Sequence, residues 1–438
     1  MSHLLDHGFL IRPLEAVYFG RPRSFSAGEA HHGTSEFPPS GYTFQGMIRS
    51  QLLRAVHPPL DLDDASAAAR DQRTRLVGGP DALPAGWQLT GPYPARIIEQ
   101  QGGERRLQPW LPAPHFLLAA PAPSSGIGGS TSFDPEPCAR PATAAPVHAR
   151  ALPDACGHAL NDLKPGTVLL GRPDEGAVKA LGGWLTPANL RHALSAGGHH
   201  SNGDPPWCAA GHACGLPPFV HRETRPGLAL EDGSARDGML YFLDTVRFHD
   251  ADGARAGLYG HAGFYGHIEG KCDERIPANA LIATLGAAGR KARPAAFEPI
   301  PPLVADFENL CNDDHLPATV HEKDCFWLVI LTPVALDDPA MPLPAGRDGV
   351  RLESLGLLTG PALTIGGYRY ADASTRPNRS YLPAGSCWLI RLRGADPERR
   401  ARILRTLNNA HLLGDEKEAA FGFGHTLVGL APPCEETL

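Results

Sequence analysis

Between Gly41 and Val56 the apolar residues Phe44, Met47, Ile48, Leu52 and Val56 return every three or four positions. That spacing predicts a helix over 42–56 with one buried face. Ser40, after two prolines, is its expected N-cap. Strand patterns surround it: "FLIRPLEAVYFG" (9–20), residues 88–100 and "MLYFLDTVRF" (239–248). "IPANALIATL" reads as a short helix, and "GAAGRKARPAAFEPI" as a glycine turn leading into a strand.

The last third of the chain has the clearer pattern. "CFWLVILTPVAL" (325–336) predicts a strand, "GVRLESLGLL" a short helix, and "PALTIGGYRY" and "AGSCWLIRLRG" two strands. "DPERRARILRTLNNAHLLG" predicts a helix, with Asp396 as N-cap, Pro397 in the first turn and Gly414 beyond the end. "FGFGHTLVGLAP" closes as a strand. The order is βαββαβ, the ferredoxin-like arrangement, in which two helices cover one face of an antiparallel sheet and leave the other free. The first part can be read in the same order, a weak duplication of pattern rather than of identity. The expected class is therefore α+β: two tandem ferredoxin-like domains with long loop insertions. The first spans 1–300, with inserts near 119–160 and 195–218. A linker follows at 301–324, and the second domain spans 325–438. Both inserts lack periodicity and read as surface excursions or disordered loops.

Composition narrows the class. The formal charge of −7 gives no global signal for nucleic acid but leaves room for a local basic groove. No apolar run reaches bilayer length, and the N-terminal stretch does not read as a secretory leader, so no membrane association is expected. Nine scattered cysteines suit a reducing cytoplasm better than a disulfide frame.

Candidate chemistry clusters in loops. "GFGHT" (422–426) and "GAAGRKAR" each follow a helix pattern and precede a strand. Backbone N–H groups there can form an anion nest, or the glycines can simply turn the chain. Arg290, Lys291 and Arg293 suit phosphate by charge. The first loop and the helix after it offer Arg21, Arg23, Ser24, His31, Ser40, Tyr42 and Arg49. Guanidinium planes and an aromatic ring can stack unpaired bases, while each residue alone also fits a solvated or ion-paired side chain. Arg369, Arg376 and Arg379 lie in a segment between two strands that could grip RNA or a neighbouring subunit. Cys156, His158, Cys208, His212 and Cys214 are candidate zinc ligands, although "CAAGHAC" lacks a zinc-knuckle spacing and free thiols are the alternative. No other cofactor is expected. No HExxH, GxSxG or acidic metal cluster stands out.

Several blocks resemble the Cmr-three family, RAMP proteins of the type III-B CRISPR effector. They are "FLIRPLEAVYFGRPRSFSAGE…SEFPPSGYTFQGMIRSQLL", "GWLTPANL", "RETRPGLALEDGSARDGMLYFLDTVRF", "TLGAAGR", "IGGYRYADASTRPNRSYLPAGSCWLI" and the closing "FGFGHTLVG". Together they span nearly the whole chain in family order. Gly41, Phe44 and the cysteine- and histidine-bearing inserts depart from the pattern. The resemblance implies a non-catalytic subunit that holds the 5′ handle of the guide RNA. It implies as partners the large polymerase-like subunit, the backbone RAMP subunits and, indirectly, target RNA. On that reading Gly422 and Gly424 admit the RNA backbone, Phe423 packs or stacks, Thr426 donates a hydroxyl, and His425 is a contact. His425 is not read as a general base, because its sequence neighbours offer no group to orient it. The alternative is a metal-independent RAMP endoribonuclease that trims guide RNA.

Overall fold

The structure, a computed structural model, describes residues 2–21, 32–61, 63–64, 66–99, 105–119, 179–180, 182–195, 212–213, 215–231, 234–249, 261–277, 279–281, 283–289, 293–300, 325–339, 342–343, 346–347, 350–369, 372, 374–394 and 396–431. In chain order the main elements are β1 (Ser2–Pro13), α1 (Gly41–Arg54), α2 (Ala67–Val77), β2 (Gln88–Glu99), β3 (Arg105–Pro109), α3 (Pro187–Ser195), β4 (Val220–Glu231), β5 (Ser234–Phe248), β6 (Ala262–Asp273), β7 (Ala283–Ala288) and β8 (Arg293–Ile300). Then come β9 (Cys325–Ile330), β10 (Val350–Leu358), β11 (Leu363–Arg369), β12 (Ser374–Tyr381), β13 (Cys387–Arg393), α4 (Pro397–Leu407), α5 (Glu416–Ala420) and β14 (His425–Leu430). The result is a mixed α+β fold dominated by strands.

Two six-stranded sheets organise the chain. The first runs β7-β8-β1-β6-β2-β3. In the second, β10-β13-β9-β14 is flanked by the short strands Gly346–Arg347 and Ala410–His411. Each sheet has the same central order. Counting β1, β2, β6 and β8 as first to fourth, they lie fourth-first-third-second, and so do β9, β10, β13 and β14. Every one of those pairs is antiparallel.

The helices follow the expected order only in part. In the first half α1 connects β1 to β2, but "IPANALIATL" forms turns and then β7, a strand paired with β8. In the second half α4 connects β13 to β14, but "GVRLESLGLL" is strand β10. There Val350 and Leu352 are buried while Arg351 and Glu353, which alternate with them, are not. That is the period of two of a strand, and it overrides the helical spacing of the leucines. Asp396 does cap α4, accepting from the Arg399 backbone N–H at 2.8 Å. The segment "ADASTRPNR" is not a simple loop, since it continues into β12, which pairs with β11 as a separate hairpin. The register slips between Ile365/Arg379 and Gly367/Arg376, which leaves Pro377 out of the ladder.

Neither sheet keeps a free face. On β1, Phe9 and Ile11 pack with Phe44, Ile48 and Leu52 of α1, while Leu10, on the opposite face, joins a second cluster. That second cluster also holds Tyr93 and Tyr265 of the first sheet, Phe116, Leu190 and Leu194 of the intervening segments, and Trp327, Val329 and Leu427 of the second sheet. Phe116 stacks on Trp327 at 5.1 Å. All six residues of β9 are buried. The expectation of an open sheet face fails because apolar residues on both sides of each strand require cover from both sides. Most of the inserts 119–160 and 195–218, and the linker 301–324, lie outside the described residues. Cys272 and Cys387 are free and buried, whereas Cys325 is disulfide-bonded. No described helix is long and apolar enough to cross a membrane.

Candidate functional site

The glycine-rich segment turns inward. Residues Phe421 to Thr426 are all buried, between α5 and the start of β14. Gly422 and Gly424 have φ of 91° and 64°, in the left-handed region that disfavours side chains. A Cβ on Gly422 would stand 2.7 Å from the Gly91 carbonyl oxygen of β2. One on Gly424 would stand 2.9 Å from the Leu413 oxygen. Gly41, at the start of α1, meets the same segment: its Cβ would lie 2.7 Å from both the Phe421 oxygen and the Phe423 ring. The close approach that these glycines permit is therefore protein on protein, and not the open cradle expected for RNA. Phe423 packs with the rings of Tyr42 and Tyr381 at 4.9 and 5.3 Å. Thr426 donates to the carbonyls of Leu407 and Ala410 at 2.6 and 3.0 Å.

A buried carboxylate collects the polar groups beside this turn. Glu418 Oε1 accepts from the Tyr42 and Tyr381 hydroxyls at 2.6 and 2.8 Å, and from Arg379 Nη1 at 2.8 Å. Burial, and then the bond to Glu418, push the Tyr42 phenol up to about 12. The Arg376 guanidinium lies 4.0 Å above the Tyr42 ring, within cation–π range. Arg376 also donates to Asp81 Oδ1 at 2.8 Å and to the Pro80 carbonyl at 2.6 Å. Arg369 pairs with the same Asp81. Partial burial opposes ionisation of Asp81, but the two guanidiniums outweigh it and hold its carboxyl below the usual range. Arg49 donates to Gln45 Oε1 at 2.9 Å and to the Gly78 carbonyl. Burial, and then the nearby Arg376, lower its pKa to about 10, so it stays cationic at neutral pH. Tyr42, Arg49, Arg376 and Arg379 thus have partners within the chain, and two of the four, Tyr42 and Arg376, engage residues of the other half.

His425 acquires the orienting groups that its neighbours in sequence lack. Its Nε2 lies 2.8 Å from Asn409 Oδ1 and donates to it. That leaves Nδ1 to accept from the Tyr93 phenol of β2. The backbone N–H of His425 donates to Thr332 Oγ1 at 2.9 Å. His411 stacks on His425 with ring centroids 4.6 Å apart. His411 Nδ1 donates to the Phe423 carbonyl at 3.0 Å. Burial lowers the His411 pKa to about 4; burial and then His411 drive that of His425 well down. Both imidazoles are therefore neutral near pH 7.

The remaining expected residues are scattered. Ser40 sits at the N-cap of α1 without a capping side-chain bond, and its Oγ lies 3.4 Å from Thr43 Oγ1. Arg21 is exposed, close enough to Glu36 to act on it electrostatically. Burial lifts the Glu36 carboxyl to about 7, against the Ser40 backbone N–H and Arg21. Arg293 is half-exposed and pairs with Glu15 at 3.0 Å. Arg23, Ser24, His31, Arg290 and Lys291 lie outside the described residues. So do the metal candidates Cys156, His158, Cys208 and Cys214, and of His212 only the backbone is described. Among the described residues no group of three or more His, Cys, Asp or Glu is placed to hold a metal.

The structure thus joins Tyr42, Arg49, Arg376, Arg379 and the turn 422–426 in one place, the junction between the two sheets. Asp81, Glu418, Tyr381, Asn409 and His411 complete that place and were not anticipated. Glu418 sits in the charged run "GDEKEAA", which reads as a solvated helix face. The Tyr93–His425 pair spans 332 positions in sequence.

No curated protein matches the chain. Two solved chains similar to it come from cryo-EM structures of the type III-B Cmr-beta. One, bound to cognate target RNA and AMPPnP in state 1, has a TM-score of 0.40 at 11% identity and covers 92% of this chain and 93% of its own. The other, bound to cognate target RNA, has a TM-score of 0.42 at 11% identity and covers 96% of each. The sequence itself matches the family described as CRISPR-associated protein (Cas_Cmr3) over residues 9–431, a span that takes in both sheets and the junction between them. The chain belongs to the Cas_Cmr3 family of CRISPR-associated proteins.

Proposed function

We propose that this chain is a non-catalytic, RNA-binding subunit of a cytoplasmic type III-B CRISPR effector complex. In this reading it holds the 5′ handle of the guide RNA and joins the large polymerase-like subunit to the backbone RAMP subunits, with target RNA as an indirect partner. The observation that carries it is the family match over 9–431. The repeated fourth-first-third-second strand order supports the finer fold reading, two tandem ferredoxin-like RAMP domains, each with one of its two helices replaced.

The absence of catalysis has its own physical support. A general base needs access to its substrate and a pKa near the working pH. His425 is enclosed, neutral and committed at both ring nitrogens. RNA contact then falls to exposed basic residues such as Arg21 and to the neighbouring loop residues Arg23, Ser24 and His31, rather than to the buried turn.

The test is reconstitution. The complex is purified with and without this chain, and the retained RNA is sequenced and crosslinked. The expected outcome is loss of handle protection, and loss of the bond between the large subunit and the backbone, when the chain is omitted. Unchanged handle protection without it would overturn the proposal. So would metal-independent cleavage of repeat RNA by the isolated chain, which would establish the endoribonuclease alternative.

A further inference from the structure

The register of β10 and β13 gathers charge on one sheet face. Arg351 is directly opposite Arg393, and Glu353 directly opposite Arg391. Residues two apart on a strand, and their cross-strand partners, share a face, so these four side chains stand together. Cys325 of β9 lies opposite Arg391 on the same face. Further along β9 and β13 that face carries Trp327 and Leu389, which are buried against the segment around Phe116. At the arginine end of this face Cys325 is still buried, whereas Arg351 and Arg393 are exposed and Arg391 partly so.

The charges do not balance. Arg393 Nε donates to Glu353 Oε2 at 2.8 Å. Neither Arg351 nor Arg391 makes an ion pair among the described residues. Among the described residues Arg351 and Arg391 therefore stand as two guanidiniums without a carboxylate, in a chain whose net charge is −7. Like charges placed directly opposite on a sheet repel, and here the pair is held on a rigid ladder. By contrast, Arg12, Arg49, Arg293, Arg369, Arg376 and Arg379 are each engaged by a carboxylate or carbonyl of the chain itself.

We propose that Arg351, Arg391 and Arg393 form a phosphodiester-binding site on the second sheet that grips the backbone of a single RNA strand. The proposal rests on the RNA-binding reading above and adds the surface where part of that contact is made. Guanidinium forks match phosphate oxygens in pairs. Arg391 and Arg393 are two residues apart, roughly 6.8 Å along an antiparallel strand, close to the interval between successive phosphates of an extended chain. A protein partner would be expected to bring an apolar centre to its interface. None of the exposed large hydrophobics, Leu240, Phe242, Tyr368 and Leu412, belongs to β9, β10 or β13. The site carries no aromatic platform, so it holds the strand without reading its bases.

The experiment measures the affinity of the full chain for the guide RNA recovered with its complex, as a function of salt. Arg351→Gln with Arg391→Gln should flatten the log–log salt slope by about 1.4, at roughly 0.7 per lost single-strand phosphate contact. Arg70→Gln with Arg402→Gln removes the same charge from exposed positions on α2 and α4 and should leave the slope unchanged. Arg351→Gln alone, at an exposed position, should give half the effect and serves if the double variant does not fold. Wild-type binding with an unaltered slope in the β10/β13 variant overturns this site and leaves the RNA-binding reading standing. Equal flattening in both double variants also overturns it, because net charge alone then accounts for the effect. A wild-type chain that binds no RNA overturns both.

Discussion

The Tyr42 hydroxyl donates to Glu418 Oε1 at 2.6 Å, across 376 positions of sequence. This bond ties the first helix of the chain to the short helix before its last strand. Tyr381 and Arg379 donate to the same oxygen, while Oε2 of Glu418 is buried without a hydrogen-bond partner. Removing the carboxylate strands three donors at once. Glu418→Ala should therefore cost about 2–3 kcal/mol in chemical denaturation, discounted for the partial exposure of Arg379. A loss below about 0.5 kcal/mol would show that the junction is not held by this carboxylate.

Tyr42 contributes both a ring and a hydroxyl. Tyr42→Phe keeps the ring under Arg376 and removes one of three donors to Glu418, so a loss of about 1 kcal/mol is expected. Tyr42→Leu should lose about a further 1 kcal/mol with the cation–π contact. A double-mutant cycle with Arg376→Ala isolates that second part. Equal stability of the Phe and Leu variants would remove the cation–π contact from the account.

Glycine has opposite meanings at two positions. Gly422→Ala must place a Cβ 2.7 Å from a backbone oxygen at a φ of 91°, and should cost more than about 2 kcal/mol. Gly46, inside α1, has nothing within 4 Å of the same atom, so Gly46→Ala should stabilise by about 0.5–1 kcal/mol. Thermal unfolding of the two variants should move in opposite directions. Comparable shifts of the same sign would contradict the packing described for the turn.

The paired histidines predict acid sensitivity. Burial lowers His411 from 6.5 to about 4 in the folded state. Between those values the unfolded chain binds more protons than the folded one, so stability falls as pH drops. The contribution is fully present above about pH 6.5 and is lost progressively towards pH 4, about 3 kcal/mol over the interval. His425 is shifted in the same direction and adds to the loss. His411→Phe should flatten the stability profile over that window. A profile that keeps its slope in the variant would assign the acid sensitivity to other groups.

The sequence alone determined the elements whose patterns stand by themselves. The spacing of Phe44, Ile48 and Leu52 set α1, and the Asp396–Pro397 signature set the start of α4. The resemblance of the quoted blocks identified the family, because linear order and local motif survive in sequence. Tertiary structure decided the rest. The leucines of "GVRLESLGLL" fit a helix as readily as a strand, and only pairing with β13 selects the strand. The turn "FGFGHT" looks the same whether its glycines face RNA or protein. Its packing is set by residues hundreds of positions away: Gly91 and Gly41 approach its backbone, and Tyr93 orients His425. Arginines likewise read alike in sequence. Whether one is neutralised, as Arg376 is by Asp81, or left beside another, as Arg351 is beside Arg393, depends on which strands and loops the fold brings together. Local spacing carries the periodicity of an element, but not the identity of the surface it meets.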